Sequence, residues 1–436
     1  MNGRCWPLLL TAILWGALSI FCLSGLEGIP FHPDESTQIY MSADFETMLS
    51  DPLSLSWTPG QENDPRMRYR LIDSPLTRFL IGAARRIAGQ PPLQVDWDWT
   101  TSWEENRLAG ALPNRKLLLT GRLALAGLLP ACLALIFLTA KNLGGLPAGW
   151  MAMLFFGLNS LVLLHGRRSM AEGALLFGIV FFVWSLTKNG DNPWLIGLSL
   201  GIAINAKQTA FVLLPAGLLA VVWPINPQPS LIKRLSPPVV GLIAAVVFTT
   251  ALLNPVYWRC PTQALYTGLA MRQELATRQY QMALALQPGQ ALPALQHRLA
   301  ALVVNLFLSP PAFAESANYQ ANTAELEHKY LQNPLHRLMR NIPGGAALFI
   351  LASFGIVSGL LQMHNFDTTG RRRHILLYSA GGLVFAGLLI AVPLSWQRYV
   401  IPATPFVCIW MACGLNTVLL AFKNFVDSNK ARQVHH

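Results

Sequence analysis

The sequence predicts an all-α polytopic membrane protein, and three observations carry that prediction. Hydrophobic residues make up 53% of the 436-residue chain and charged residues only 12%, whereas a soluble domain runs at about a quarter charged. Apolar runs of about 17–25 residues, long enough for ~30 Å of hydrocarbon, recur along the chain. The basic residues gather between alternate runs, as membrane topology requires.

The first run, residues 7–26, follows Arg4. Its apolar core exceeds the roughly 7–15 residues of a secretory signal and no small-x-small site ends it, so it reads as a retained helix. Further spans read as 117–139, 147–164, 169–187, 194–206, 208–223, 238–253, 344–363, 374–392 and 400–422, a bundle of about ten transmembrane helices. With the N-terminus in the cytoplasm, the inner connections carry Lys141, Lys188, Lys233 with Arg234, and Arg371-Arg372-Arg373. Lys423, Lys430 and Arg432 follow the last span. Both termini are then cytoplasmic, and loops 27–116 and 254–343 are extracytoplasmic. Topology therefore accounts for the net charge of +11, and no nucleic-acid partner is expected. Cys5, Cys22, Cys132, Cys260, Cys408 and Cys413 lack metal spacing and read as small apolar fillers.

The first outer loop opens with His32-Pro33-Asp34-Glu35. Residues 36–49 can form a short helix, and Ser74-Pro75 opens an amphipathic one through Ala88. Leu76, Phe79, Leu80 and Ala83 share one face of it, with Arg78, Arg85 and Arg86 largely elsewhere. Such a helix is expected to lie along the membrane interface. Trp97, Trp99 and Trp103 follow, as interfacial anchors or as a platform for a sugar. In the second loop a helix is expected at 262–286, and the apolar stretch 299–309 is too short to span.

Several cations break the topological rule. Arg167 and Arg168, Lys207 and Arg398 occupy three outer turns. Each could snorkel to lipid headgroups. Lys207, however, interrupts the apolar stretch 194–223, where a charge costs about 2.5–3.5 kcal/mol and so calls for a partner. That partner is either Glu172, which also stands i, i+4 from Arg168, or an external anion such as phosphate. Asp34 and Glu35 have a plain reading too, as N-cap and first-turn residues of a helix. His32, Asp34 and Glu35 together form a minimal metal set, a weaker alternative. A carboxylate beside outer cations also suits sugar transfer from a polyprenyl phosphate. The departing phosphate needs cations rather than a general acid, and the acceptor hydroxyl needs one base.

In these features the chain resembles the GT-C glycosyltransferases, most closely the protein O-mannosyltransferase and aminoarabinose transferase group. The resemblance covers about residues 10–225 and returns at 396–405. It rests on the Asp34-Glu35 pair, the Ser74-to-Leu80 Pro-Leu helix, Arg122 and the turn from Arg167 to Glu172. Gly201 to Lys207 and Arg398-Tyr399-Val400-Ile401-Pro402 complete it. Ser74-Pro75 stands where Pro-Pro is usual. The resemblance implies Asp34 as catalytic base with Glu35 as its support, and Lys207, Arg398 and Arg167 or Arg168 as donor-phosphate ligands. His32, Glu172, Tyr399 and Arg122 would be supporting residues. It also implies a polyprenyl-phosphate-linked sugar donor, a lipid, glycan or protein acceptor, and no cofactor. Residues 1–225 would be the conserved-type core and 226–436 a variable part, in a bacterial plasma membrane. The rival readings are a transporter or flippase of lipid-linked glycans, and a metal-dependent oligosaccharyltransferase-like enzyme.

Overall fold

The computed structural model describes residues 5–188, 192–223, 231–315 and 318–434. Arg4 lies outside them, as do the side chains of Lys233, Arg234, Lys430 and Arg432. Helices joined by turns make up the described chain, with one isolated bridge between Ala291 and Leu394.

Helix α1 (Cys5–Leu23) exposes Leu8, Ile13 and Ile20 along its length, as a lipid-facing helix does. The first outer loop folds into five short helices, α2 (Pro33–Met41), α3 (Asp44–Ser50), α4 (Pro65–Ile72), α5 (Leu76–Ile87) and α6 (Trp103–Ala109). Then come α7 (Arg115–Ala126) and α8 (Leu129–Gly157), which contain most of the two spans expected there. α8 turns back on itself at Gly145, whose φ of 81° suits glycine alone. The two halves pack so closely that a Cβ on Gly149 would lie 2.8 Å from the Phe137 ring.

Next are α9 (Ser160–His165), α10 (Ala171–Thr187), α11 (Pro193–Ala206), a 3-10 turn at Gln208–Leu213, α12 (Leu214–Val222) and α13 (Leu231–Leu253). Gly197 abuts Leu242 and Gly201 abuts Thr249, so α11 and α13 run parallel. Helix α12 returns between them and leaves Lys207 at the tip of the turn. The second outer loop holds α14 (Pro261–Leu286), α15 (Leu295–Val303) and α16 (Gln320–Gln332). The chain closes with α17 (Ile342–Leu361), α18 (Thr368–Ala391) and α19 (Thr404–Val434).

By length and composition five stretches can cross a membrane: Trp6–Leu23, Arg115–Gly157, Ile342–Asn365, Thr368–Ala391 and Gln397–Ser428. Shorter apolar helices occupy the remaining expected spans. One apolar core runs from Leu18 to Ala412 and is continuous across position 225.

Two outer-loop elements pack in ways that hydropathy alone does not predict. Helix α5 packs through the face that carries Arg78 and Arg85 and leaves Leu76, Phe79, Leu80 and Ala83 half-buried. Arg78 and Arg85 are on its buried face, because α3 supplies acids to receive them. Arg85 Nη2 donates to Glu46 at 2.5 Å, and Arg78 Nε lies 3.5 Å from Asp44. A Cβ on Gly82 would fall 2.4 Å from Phe45, which shows how closely α5 is seated. Trp97, expected as an interfacial anchor, is instead buried among Phe31, Trp103 and Tyr319.

Candidate active site

The start of α2 sets the site. His32 is the N-cap, Pro33 takes the first helical position, and Glu35 at N3 accepts the His32 amide at 3.1 Å. Asp34, expected as a capping residue, is therefore the second residue of the helix, two positions past the cap, since proline's fixed φ favours the first position. Successive helical residues point about 100° apart. Asp34 and Glu35 accordingly face different surroundings.

Glu35 faces inward and is fully buried. Arg122 donates to it through Nε at 2.8 Å and Nη2 at 2.7 Å, and the Ser169 amide adds a third bond at 2.9 Å. Burial alone would raise its pKa. The Arg122 charge and these hydrogen bonds outweigh that and hold the carboxyl below its ordinary value.

Arg122 also donates to the carbonyls of Leu26 and Ile29. Arg167 donates to Leu163 and Ser24 carbonyls and to the Tyr330 hydroxyl, and Arg168 to the carbonyls of Pro30 and Phe313. All three arginines are buried. Irregular backbone packed against a membrane bundle needs donors for its carbonyls, and these side chains supply them. Arg167 and Arg168, expected as donor-phosphate ligands, here bind loops to the bundle, and Arg168 Nη1 is left without a hydrogen-bond partner among the described residues. Nor do Arg168 and Glu172 share a helix face, because α10 begins at Ala171 and Arg168 lies in the preceding turn.

Asp34 faces outward, its side chain 32% exposed. Arg398 Nη1 donates to Asp34 Oδ2, joining the two ends of the chain. Arg398 Nε lies 3.3 Å from Glu315 Oε1. Glu315 Oε2 in turn accepts from His32 Nε2 at 2.6 Å, while His32 Nδ1 accepts the Asp34 amide at 3.1 Å. That pattern fixes the tautomer of a neutral ring, with the proton on Nε2. Burial would raise the Glu315 carboxyl, but Arg398 and His32 hold it far below its usual range. Tyr319 and Trp99 wall the imidazole on its other sides.

Lys207 donates to Glu172 at 2.8 Å, so the structure supplies the first of its two expected partners. Its ammonium also lies 5.7 Å from the Tyr399 ring, over which the Arg398 guanidinium sits at the same separation. Tyr399 is therefore a neighbour of both cations. The adjoining turn is fastened by Ser74, whose hydroxyl donates to the Ile204 carbonyl at 2.8 Å. Asp73, paired with Arg272 at 3.4 Å, borders the same space. Asp96 accepts from the Tyr69 hydroxyl at 2.6 Å, and burial pushes its carboxyl up.

Asp34, Lys207, Arg398, Tyr399, His32 and Glu172 thus converge, while Glu35, Arg122, Arg167 and Arg168 form the frame behind them. His32, Asp34 and Glu35 do not converge as a ligand set, because Glu35 turns onto Arg122 and His32 onto Glu315. Among the described residues no group of three or more His, Cys, Asp or Glu side chains is arranged around a metal position.

Glu315 escaped sequence reasoning. One signal pointed to it: Glu274, Glu325 and Glu327 lie in helices of the second loop, whereas Glu315 follows Pro310-Pro311 outside any helical pattern. Gln397 places it, donating to the Pro310 carbonyl and accepting the Ala312 amide, which brings that strand of chain beside Arg398. Asp73 and Arg272 were also missed, since they meet only when α14 packs on α4.

No protein-family model and no curated protein matches the chain. Solved structures do match it. The archaeal oligosaccharyltransferase AglB from Archaeoglobus fulgidus, in complex with an inhibitory peptide and a dolichol-phosphate, superposes with a TM-score of 0.54 at 13% identity. The match covers 98% of this chain and 52% of AglB. ArnT from Cupriavidus metallidurans, bound to undecaprenyl phosphate, superposes with a TM-score of 0.52 at 13% identity, over 93% of this chain and 60% of ArnT. The chain spans about half to three-fifths of the length of these structures. Both are GT-C glycosyltransferases, and this chain has the GT-C fold.

Proposed function

We propose that the protein is an integral-membrane glycosyltransferase that moves a sugar from a polyprenyl-phosphate donor to an acceptor hydroxyl. One observation carries the reading: a partly exposed carboxylate, Asp34, is held by one cation, Arg398, and a second cation, Lys207, lies beside the same Tyr399 ring as Arg398. Asp34 takes the proton of the acceptor hydroxyl as its oxygen attacks the anomeric carbon. The bond from that carbon to the phosphate oxygen breaks, and the phosphate leaves with the electron pair. A single displacement inverts the anomeric centre. Lys207 and Arg398 stabilise the charge that develops on the departing phosphate. Glu35 acts on Asp34 only through the first turn of α2.

The proposal has the site face the extracytoplasmic side of a bacterial plasma membrane, with a lipid, a glycan or a protein as acceptor. The test is twofold. Lipid extracts of a deletion strain should accumulate a polyprenyl-phosphate sugar by mass spectrometry. The purified full chain, given a membrane extract of that strain as the source of acceptor, should then release polyprenyl phosphate from that lipid, and Asp34→Asn should do so about 10²–10⁴-fold more slowly, the usual worth of a positioned base. Native rates in Asp34→Asn sink the assignment of the base.

A further inference from the structure

Arg398 has two carboxylates on it before any substrate arrives. Nη1 is held by Asp34, while Nε lies 3.3 Å from Glu315 Oε1 as an ion pair without a hydrogen bond. The two acids differ in their setting. Asp34 is 32% exposed, whereas Glu315 is 11% exposed and also fastened to the buried His32. Asp34 cannot serve as a base while a guanidinium neutralises it, and Arg398 cannot give its fork to a phosphate while Asp34 holds one prong.

We infer that Arg398 is handed from Asp34 to the donor phosphate on binding, and that Glu315 is the positioning residue that keeps the guanidinium in place during the exchange. This rests on the proposed glycosyl transfer. Donor binding then does two things at once. It occupies Nη1 and Nη2 with phosphate oxygens, and it releases Asp34 to meet the acceptor. Binding is consequently ordered, with the donor first. The Asp34 contact lowers the apparent affinity for phosphate by the fraction of time that it occupies Arg398. Glu315 retains the Nε side throughout, and through His32 it stays tied to the N-cap that orients Asp34.

The experiment measures binding of undecaprenyl phosphate to the full chain in nanodiscs, with undecaprenol as the phosphate-free control. Wild type, Asp34→Asn, the double variant Asp34→Asn with Glu315→Gln, and its Glu315→Asp counterpart are compared. Asp34→Asn should bind the phosphate about tenfold more tightly than wild type, which corresponds to removing a competing contact worth ~1.4 kcal/mol. The double variant with Gln should lose that gain, because no carboxylate then fixes Arg398. The Asp counterpart should recover it.

Simple charge removal predicts the opposite for the Gln double variant, a further increase in affinity, and that result would overturn the role of Glu315. Equal or weaker binding by Asp34→Asn, with wild type binding the lipid phosphate, would overturn the exchange while leaving the proposed transfer standing. Binding no better than undecaprenol in every variant would overturn the transfer reading and the exchange together.

Discussion

Arg122 and Glu35 face each other through two hydrogen bonds, of 2.8 and 2.7 Å, with side chains 1% and 0% exposed. Taking two charges out of water is costly, and removing one partner of such a pair leaves the other buried and unpaired. Arg122→Ala should therefore destabilise the protein by about 3–5 kcal/mol. It also strips donors from the Leu26 and Ile29 carbonyls. Arg122→Lys should recover little, because an ammonium cannot make the bidentate fork. Thermal unfolding of the purified protein reads both effects. Unchanged unfolding in Arg122→Ala would mean that Glu35 finds another partner.

The same pair sets a response to acid. Glu35 has a lower pKa in the folded protein than its ordinary 4.5, because Arg122 and its hydrogen bonds outweigh burial. A carboxyl depressed by folding contributes stability that is fully present above the unfolded value and lost as pH falls through the folded one. Glu315 is shifted in the same direction. The unfolding temperature of wild type should fall progressively below pH 4.5. Glu35→Gln should start lower and fall less steeply over that range. Parallel slopes in the two proteins would remove Glu35 from the acid response.

Lys207 is predicted to act through its charge. Lys207→Gln keeps a hydrogen-bonding amide beside Glu172 but removes the countercharge of that buried carboxylate, so the unfolding temperature should also fall. The variant loses the ammonium that faces the departing phosphate. A hydrogen bond to a charged group contributes about 1.5–3 kcal/mol, so turnover should fall roughly 10–100-fold. Initial rates over a range of donor concentrations separate a loss in binding from a loss in turnover. Lys207→Gln at wild-type efficiency would take Lys207 out of the site.

How much of this was legible depended on which interactions were local. Hydropathy located the helices because a bilayer demands long apolar runs, and the connection at Lys141 separated two expected spans near the turn inside α8. The helix start at His32 to Glu35 was readable, although the N-cap is His32, two residues before the expected Asp34. The partners of the arginines were not readable. Arg168 reaches Pro30 and Phe313, at opposite ends of the loops, and no spacing in the sequence records such a contact. Burial reversed the meaning of Arg167 and Arg168: outward by topology, they are inward by packing. Glu315 needed the fold as well, since it reaches His32 across 283 positions.

The closest helix contact in the C-terminal part yields a stability prediction with its own control. A Cβ on Gly355 of α17 would lie 1.9 Å from the Trp410 carbonyl oxygen of α19, and one on Gly414 would lie 2.6 Å from the Leu351 carbonyl. Apolar side chains gain little by meeting each other in lipid, so membrane helices associate through close backbone approach at small residues. Gly355→Ala forces the two backbones apart and should cost about 1–3 kcal/mol, as overpacking does elsewhere. Gly382, in the neighbouring α18, has no atom within 4 Å of its would-be Cβ. Gly382→Ala should be neutral, or stabilising by up to about 1 kcal/mol, because alanine favours the helix. Thermal unfolding of both variants in the same nanodiscs makes the comparison. If Gly355→Ala matched Gly382→Ala, the α17–α19 contact would not set the stability of this half of the bundle.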